Sequence, residues 1–157
     1  MPISSLQRIL NADNEIAFGY RIGYLFNHFA GPVYKWSSGE LGIQRPEFAT
    51  LFCACHLEAA TASDVVALTG IPKNSVSRAV SNLEELGCIR RTDDTADRRR
   101  SILVMTPKGR KVFEKVLPRF VARQERMLSV LSPAELREFD RLLHKLVERG
   151  DDWAAEY

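Results

Sequence analysis

"LTGIPKNSVSRAVSNLEELGCIRR", residues 68–91, places the end of one helix directly before the start of another. Gly70 is suited to a left-handed C-cap. Pro72 follows, where the first turn of a new helix has no N–H partner to lose. Beyond it, Val76, Ala79 or Val80, Leu83 and Leu86 recur at helical spacing as a core-facing stripe, and Gly87 is the stop. The opposite face carries Asn74, Ser75, Ser77, Arg78, Ser81 and Asn82, with Lys73 at its head. Solvated helix faces ordinarily favour Glu and Lys, better helix formers than Ser and Asn. Short polar side chains let a helix backbone come close to another surface, where Arg can bond bidentately to guanine and Asn to adenine.

The flanks supply the context. Upstream, "TASDVVALTG" (61–70) opens with Thr61 and Asp64 at the spacing of a capping box. A short helix, a turn and a Pro-led helix make a helix-turn-helix, in which the first helix braces and the second enters a major groove. Downstream, "CIRRT" (88–92) and "SILVMT" (101–106) predict a β-hairpin joined by "DDTADRRR" (93–100). Arg98, Arg99 and Arg100 repel one another unless a partner neutralises them. Phosphates, or the negative potential of a narrow minor groove, would do so. Asp97 is placed to orient one guanidinium, and Arg90 and Arg91 add charge at the first strand. The expected DNA contacts are therefore Lys73, Asn74, Ser75, Ser77, Arg78, Ser81, Asn82, Arg91, Asp97, Arg98, Arg99 and Arg100.

With these residues in view, the chain resembles the MarR family of winged helix-turn-helix regulators over nearly its whole length. The marks are the quoted stretch, Asp97-Arg98-Arg99, and "SILVMTPKG". The resemblance implies a homodimer, with each wing flanking its recognition helix and Asp97 and Arg99 as the wing-motif pair, the Arg in the minor groove. It also implies that a small, often aromatic, ligand can lodge where dimer helices meet the winged domain. Arg100 and Asp93-Asp94 depart from the pattern.

The remaining chain fits this frame. Its 157 residues are 45% hydrophobic and 27% charged, an ordinary globular composition. The net charge of +2 hides an uneven distribution: −2 over residues 1–71 (four cations, six anions), +3 over 72–108 (eight, five) and +1 over 109–157 (ten, nine). A first helix is expected from Asp13 to Trp36, ended by Ser37-Ser38-Gly39, and a second after Pro46. A fifth should start at Thr106-Pro107 and be kinked or interrupted by Pro118, and a sixth should be capped by Ser132-Pro133-Ala134-Glu135. The expected fold is thus mainly α with a small β-hairpin wing. Residues 1–40 form an N-terminal dimerisation helix, 41–109 the winged helix-turn-helix and 110–157 C-terminal dimerisation helices. The terminal helices are too apolar for a domain of about 100 residues to cover.

Of fourteen aromatic residues nine lie within residues 1–57, and Tyr24, His28 and Trp36 are the polar-tipped candidates for a ligand contact. Cys53, Cys55 and Cys88 make no even disulfide set, and Cys53 and Cys55 point to different sides of a helix. Structural thiols are favoured over a redox switch. No metal, cofactor, enzymatic nucleophile motif or Gly-rich phosphate loop is indicated. No secretory leader or membrane-spanning run is read, so a cytoplasmic protein is expected. A winged-helix module that binds protein, or a thiol-responsive regulator, stands as the alternative.

Overall fold

The computed structural model describes Leu10, residues 14–93 and residues 100–154. Helix α1 spans Ala17–Leu41, α2 Arg45–His56, α3 Ala62–Thr69 and α4 Lys73–Glu85. Strands β1 (Ile89–Asp93) and β2 (Ser101–Met105) follow, then α5 (Pro107–Leu128), α6 (Pro133–Glu148) and α7 (Gly150–Ala154). The chain divides into two compact units, Met1–Phe120 and Val121–Tyr157. No helix among the described residues is long and apolar enough to cross a membrane.

The first unit is built around the helix-turn-helix. Thr61 caps α3 through the expected reciprocal box with Asp64, and Gly70 ends it in the left-handed region (φ 63°). Pro72 is the N-cap of α4, one residue ahead of its first turn. Val76, Ala79, Val80 and Leu83 are buried, so both residues left open at 79 and 80 face inward. Val76, Val80 and Leu83 meet Ile43 and Leu51, Val65, Leu103 and Val116 in one core. Each such aliphatic side chain contributes about 1.5–3 kcal/mol when fully buried. Phe48, Phe113 and Phe120 extend it as a ring cluster, with centroids 5.6 Å apart for Phe48–Phe113 and 4.8 Å for Phe48–Phe120.

The hairpin is antiparallel, with Ile89 opposite Met105 at its root and Asp93 opposite Ser101 toward its tip. Leu103 N–H donates to the Ala60 carbonyl at 2.7 Å, tying β2 to the start of α3. At the root, the Thr106 hydroxyl donates to the carbonyls of Gly87 (2.7 Å) and Cys88 (3.1 Å) and accepts from Gly109 N–H (3.1 Å).

Two expected interruptions do not occur. Helix α1 runs through Ser37-Ser38-Gly39 and ends at Gly42 (φ 67°). The buried Ser37 hydroxyl donates to the Ile43 carbonyl just past the helix at 2.6 Å and lies 3.3 Å from the Tyr34 carbonyl within it, so it is satisfied without a break in the helix. Helix α5 is continuous through Pro118. Pro118 is exposed while Val116 and Phe120 on either side are buried, and packing outweighs one missing backbone bond. In the second unit, Ser132 caps α6 as expected, its hydroxyl accepting from Glu135 N–H at 3.3 Å.

Gly109 sits where α5 touches Cys88, the residue before β1. A Cβ there would overlap the Cys88 carbonyl oxygen and lie 2.9 Å from its carbon. Backbone cannot yield as a side-chain tip can, so Gly109→Ala should cost about 2 kcal/mol or more, as overpacking does. Urea unfolding should show this as a lowered midpoint.

Candidate nucleic-acid interface

The two faces of α4 are cleanly divided. Opposite its buried stripe, Lys73, Asn74, Ser77, Arg78 and Ser81 are exposed, while Ser75 and Asn82 are half-buried. No acidic residue stands in its first turn. Small side chains around Ser77 leave hollows on both sides. One, of about 310 Å³, is lined by Ala62, Ser63, Val66, Ala67, Lys73 and Ser77 between α3 and α4. The other, of about 70 Å³, is lined by Ala62, Ser77, Val80, Arg91, Ser101 and Leu103 between α4 and the hairpin.

The sequence-predicted residues fall into three groups, with Asn82 apart from them. Lys73, Asn74, Ser75, Ser77, Arg78 and Ser81 share α4, where the Ser81 hydroxyl donates to the Ser77 carbonyl at 3.3 Å. Arg91 and Arg100 stand on the hairpin beside it. Arg91 Nε pairs with Glu84 Oε2 of α4 at 2.9 Å. Arg100 lies near enough to Asp64 for its charge to favour that carboxylate. Asp97, Arg98 and Arg99 lie outside the described residues. Asn82 differs from the rest, because its amide Nδ2 donates to Glu47 Oε1 of α2 at 3.1 Å.

Comparison with known proteins can be set on this geometry. The MarR family model matches residues 41–100, which include α2, α3, α4 and β1. Over residues 41–100 the chain is similar to the MarR family. The transcriptional regulator HosA of Escherichia coli O127:H6 is 23% identical over 113 residues, covering 72% of this chain and 84% of HosA. Among solved structures, a MarR-family regulator of Listeria monocytogenes complexed with a 26mer DNA superposes with a TM-score of 0.78 at 21% identity, covering 91% of this chain and 93% of that one. CouR of Rhodococcus jostii RHA1, bound to p-coumaroyl-CoA, gives 0.72 at 23% identity, covering 87% and 93%. At these identities the likeness establishes the winged-helix fold.

The expected ligand residues separate in the structure. Tyr24 and His28 stack on α1 with centroids 3.9 Å apart. They line a groove of about 570 Å³ with Leu10, Ile16, Gly19, Tyr20, Gly23 and Asn27. Trp36 is not among its lining residues, and the Arg119 guanidinium covers its ring at 3.5 Å. Cys53 and Cys88 are buried, and burial pushes both thiols up from their ordinary range. The half-buried Cys55 Sγ accepts from Arg110 Nη1 at 2.8 Å.

Sequence reasoning missed Glu47 and Arg110. Glu47 could have been read as the acidic half of a capping box with Gln44, which it is. Nothing local marked its second contact, to Asn82.

The cap of α3 titrates. Hydrogen bonds from the Thr61 hydroxyl (2.7 Å) and N–H (2.8 Å) hold the Asp64 carboxyl below its ordinary range, against a smaller opposing effect of burial. A carboxyl whose folded-state pKa is depressed adds stability above its unfolded value and loses it as pH falls through the folded one. Thr61→Ala should therefore cost about 1 kcal/mol near neutral pH. It should also flatten the acid-side loss of stability below about pH 4. Thermal unfolding of both proteins across that range checks it.

Proposed function

We propose that the protein is a sequence-specific DNA-binding transcription regulator, a homodimer that represses from a pseudo-palindromic operator. One surface carries this conclusion: the exposed Lys73, Asn74, Ser77, Arg78 and Ser81 on a helix whose other side is buried. That helix enters the major groove, with Arg78 as the principal reader of a guanine edge. Arg91 and Arg100 of the hairpin contact the backbone or minor groove, and the sequence adds Arg98, Arg99 and Asp97 to that set of expected contacts. The Listeria structure complexed with a 26mer DNA supports the same use of this fold. Occupancy of a promoter suffices for repression.

Dimerisation draws on residues 1–40 and 110–157. On α1, Phe18 is 80% and Ile22 58% exposed. On α6 no residue is buried, and Leu142, Leu143 and Leu146 are all more than 40% exposed. Apolar stripes of this kind mark surfaces that pack in an assembly. A two-fold dimer would set its recognition helices about 34 Å apart, one turn of DNA. A small aromatic effector fits the Tyr24–His28 groove, whose volume lies in the range of small-molecule sites. The CouR complex is a precedent for ligand binding on this fold.

Fluorescence anisotropy against duplex at graded salt tests the core of this. Arg78→Ala should relax preference at one base pair, by about 1–3 kcal/mol, and leave the salt slope nearly intact. Arg99→Ala should instead weaken all duplexes alike and lower the salt slope by about one. Binding that ignores salt would sink the conclusion and favour a protein-binding module. Independently, Leu143→Glu should shift the sedimenting species from dimer to monomer.

A further inference from the structure

On the polar side of α4, Asn82 is bonded through its side chain to another helix. Asn82 lies one helical turn beyond Arg78, on nearly the same side. Its amide reaches back into the domain, not outward. The acceptor, Glu47, is only 8% exposed. Glu47 Oε2 accepts from Gln44 N–H at 3.1 Å, closing the N-terminus of α2, and Oε1 accepts from Asn82 Nδ2 at 3.1 Å. One buried carboxylate thus joins the start of α2 to the last turns of α4, 35 residues away.

Reading adenine needs the carbonyl and one N–H of an asparagine in a single plane, both facing the base. The Glu47 bond fixes the amide plane toward α2. A carboxylate only accepts, so the group it meets must be the amide nitrogen. Removing that donor leaves a buried acceptor unsatisfied, which the fold resists more strongly than the loss of a surface contact.

We propose that Glu47 and Asn82 are a positioning pair: the bond between them fixes the rotation of α4 about its axis, and Asn82 aims the reading face instead of reading from it. This rests on the DNA-binding conclusion above. It also narrows that conclusion, leaving base reading to Asn74, Ser75, Ser77, Arg78 and Ser81.

The test uses a duplex selected by the full-length parent from a random-sequence pool, together with its single-base variants. Asn82→Ala should lower affinity for every duplex by about tenfold while the ranking of bases at each position stays that of the parent. Asn82→Asp, which sets carboxylate against carboxylate, should lose more. The double variant E47Q/N82D exchanges the partners: the introduced amide donates across the pair while its carbonyl still accepts from Gln44 N–H. It should recover to within about threefold of the parent, a non-additive result that two independent residues cannot give. Thermal unfolding of the same proteins provides a second cycle, in which recovery in E47Q/N82D supports the pair and additive losses overturn it. Loss of preference at a single base pair in Asn82→Ala, or no recovery of binding in E47Q/N82D, would also overturn it. Failure of the parent itself to select any duplex condemns the DNA-binding conclusion, and is read on the parent alone.

Discussion

The commitment of one side of α4 to the core governs everything else in the first unit. Val76 and Leu83 are fully buried, with Ala79 and Val80 almost so. Turning the helix by one residue, about 100°, would carry Ser77 or Arg78 inward and Val76 out. That exchange would expose an aliphatic side chain and bury an uncompensated polar or charged one, at a cost of several kcal/mol, on the order of a small domain's whole stability. Hydrophobic packing therefore decides which face of α4 points outward, and leaves only the finer rotation within that setting to the Glu47–Asn82 bond. Ile43, Leu51, Val65 and Val116, drawn from around α4, together define the direction in which Ser77 and Arg78 point.

Charge is arranged around that aim. Arg91 is held by Glu84, and Arg100 acts on Asp64. Exposed pairs like the first contribute little to stability. They hold long cationic side chains near the helix-turn-helix and moderate repulsion where the sequence places cations side by side. A polyanion can take over such cations, because a phosphate substitutes readily for a solvent-exposed carboxylate. The same acids that quiet the surface of the free protein need not be displaced far for it to bind.

What the sequence disclosed follows from how local the physics is. The caps of α3 and α6, the glycine stop at 70 and the two strands were legible because each depends on residues within a few positions of one another. Interruptions at Ser37 to Gly39 and at Pro118 do not occur because packing overrules local propensity: the buried Ser37 is satisfied by the Ile43 carbonyl, and Pro118 is flanked by buried Val116 and Phe120. Of the ligand candidates, Tyr24 and His28 meet because they are four residues apart on α1, whereas Trp36 is drawn off by Arg119, 83 positions away. The Glu47–Asn82 bond left no trace in the sequence for the same reason. A spacing rule cannot see across two helices.

The close approach of Gly109 to Cys88 has a mechanical meaning. Side chains normally form a compliant layer between packed elements, able to change rotamer and absorb a small displacement. Here α5 and the root of the hairpin touch backbone to backbone, and the Thr106 hydroxyl pins three main-chain groups at the same point. That joint has no slack. Any shift in the first turn of α5 would have to move the Cys88 backbone, and with it the start of β1.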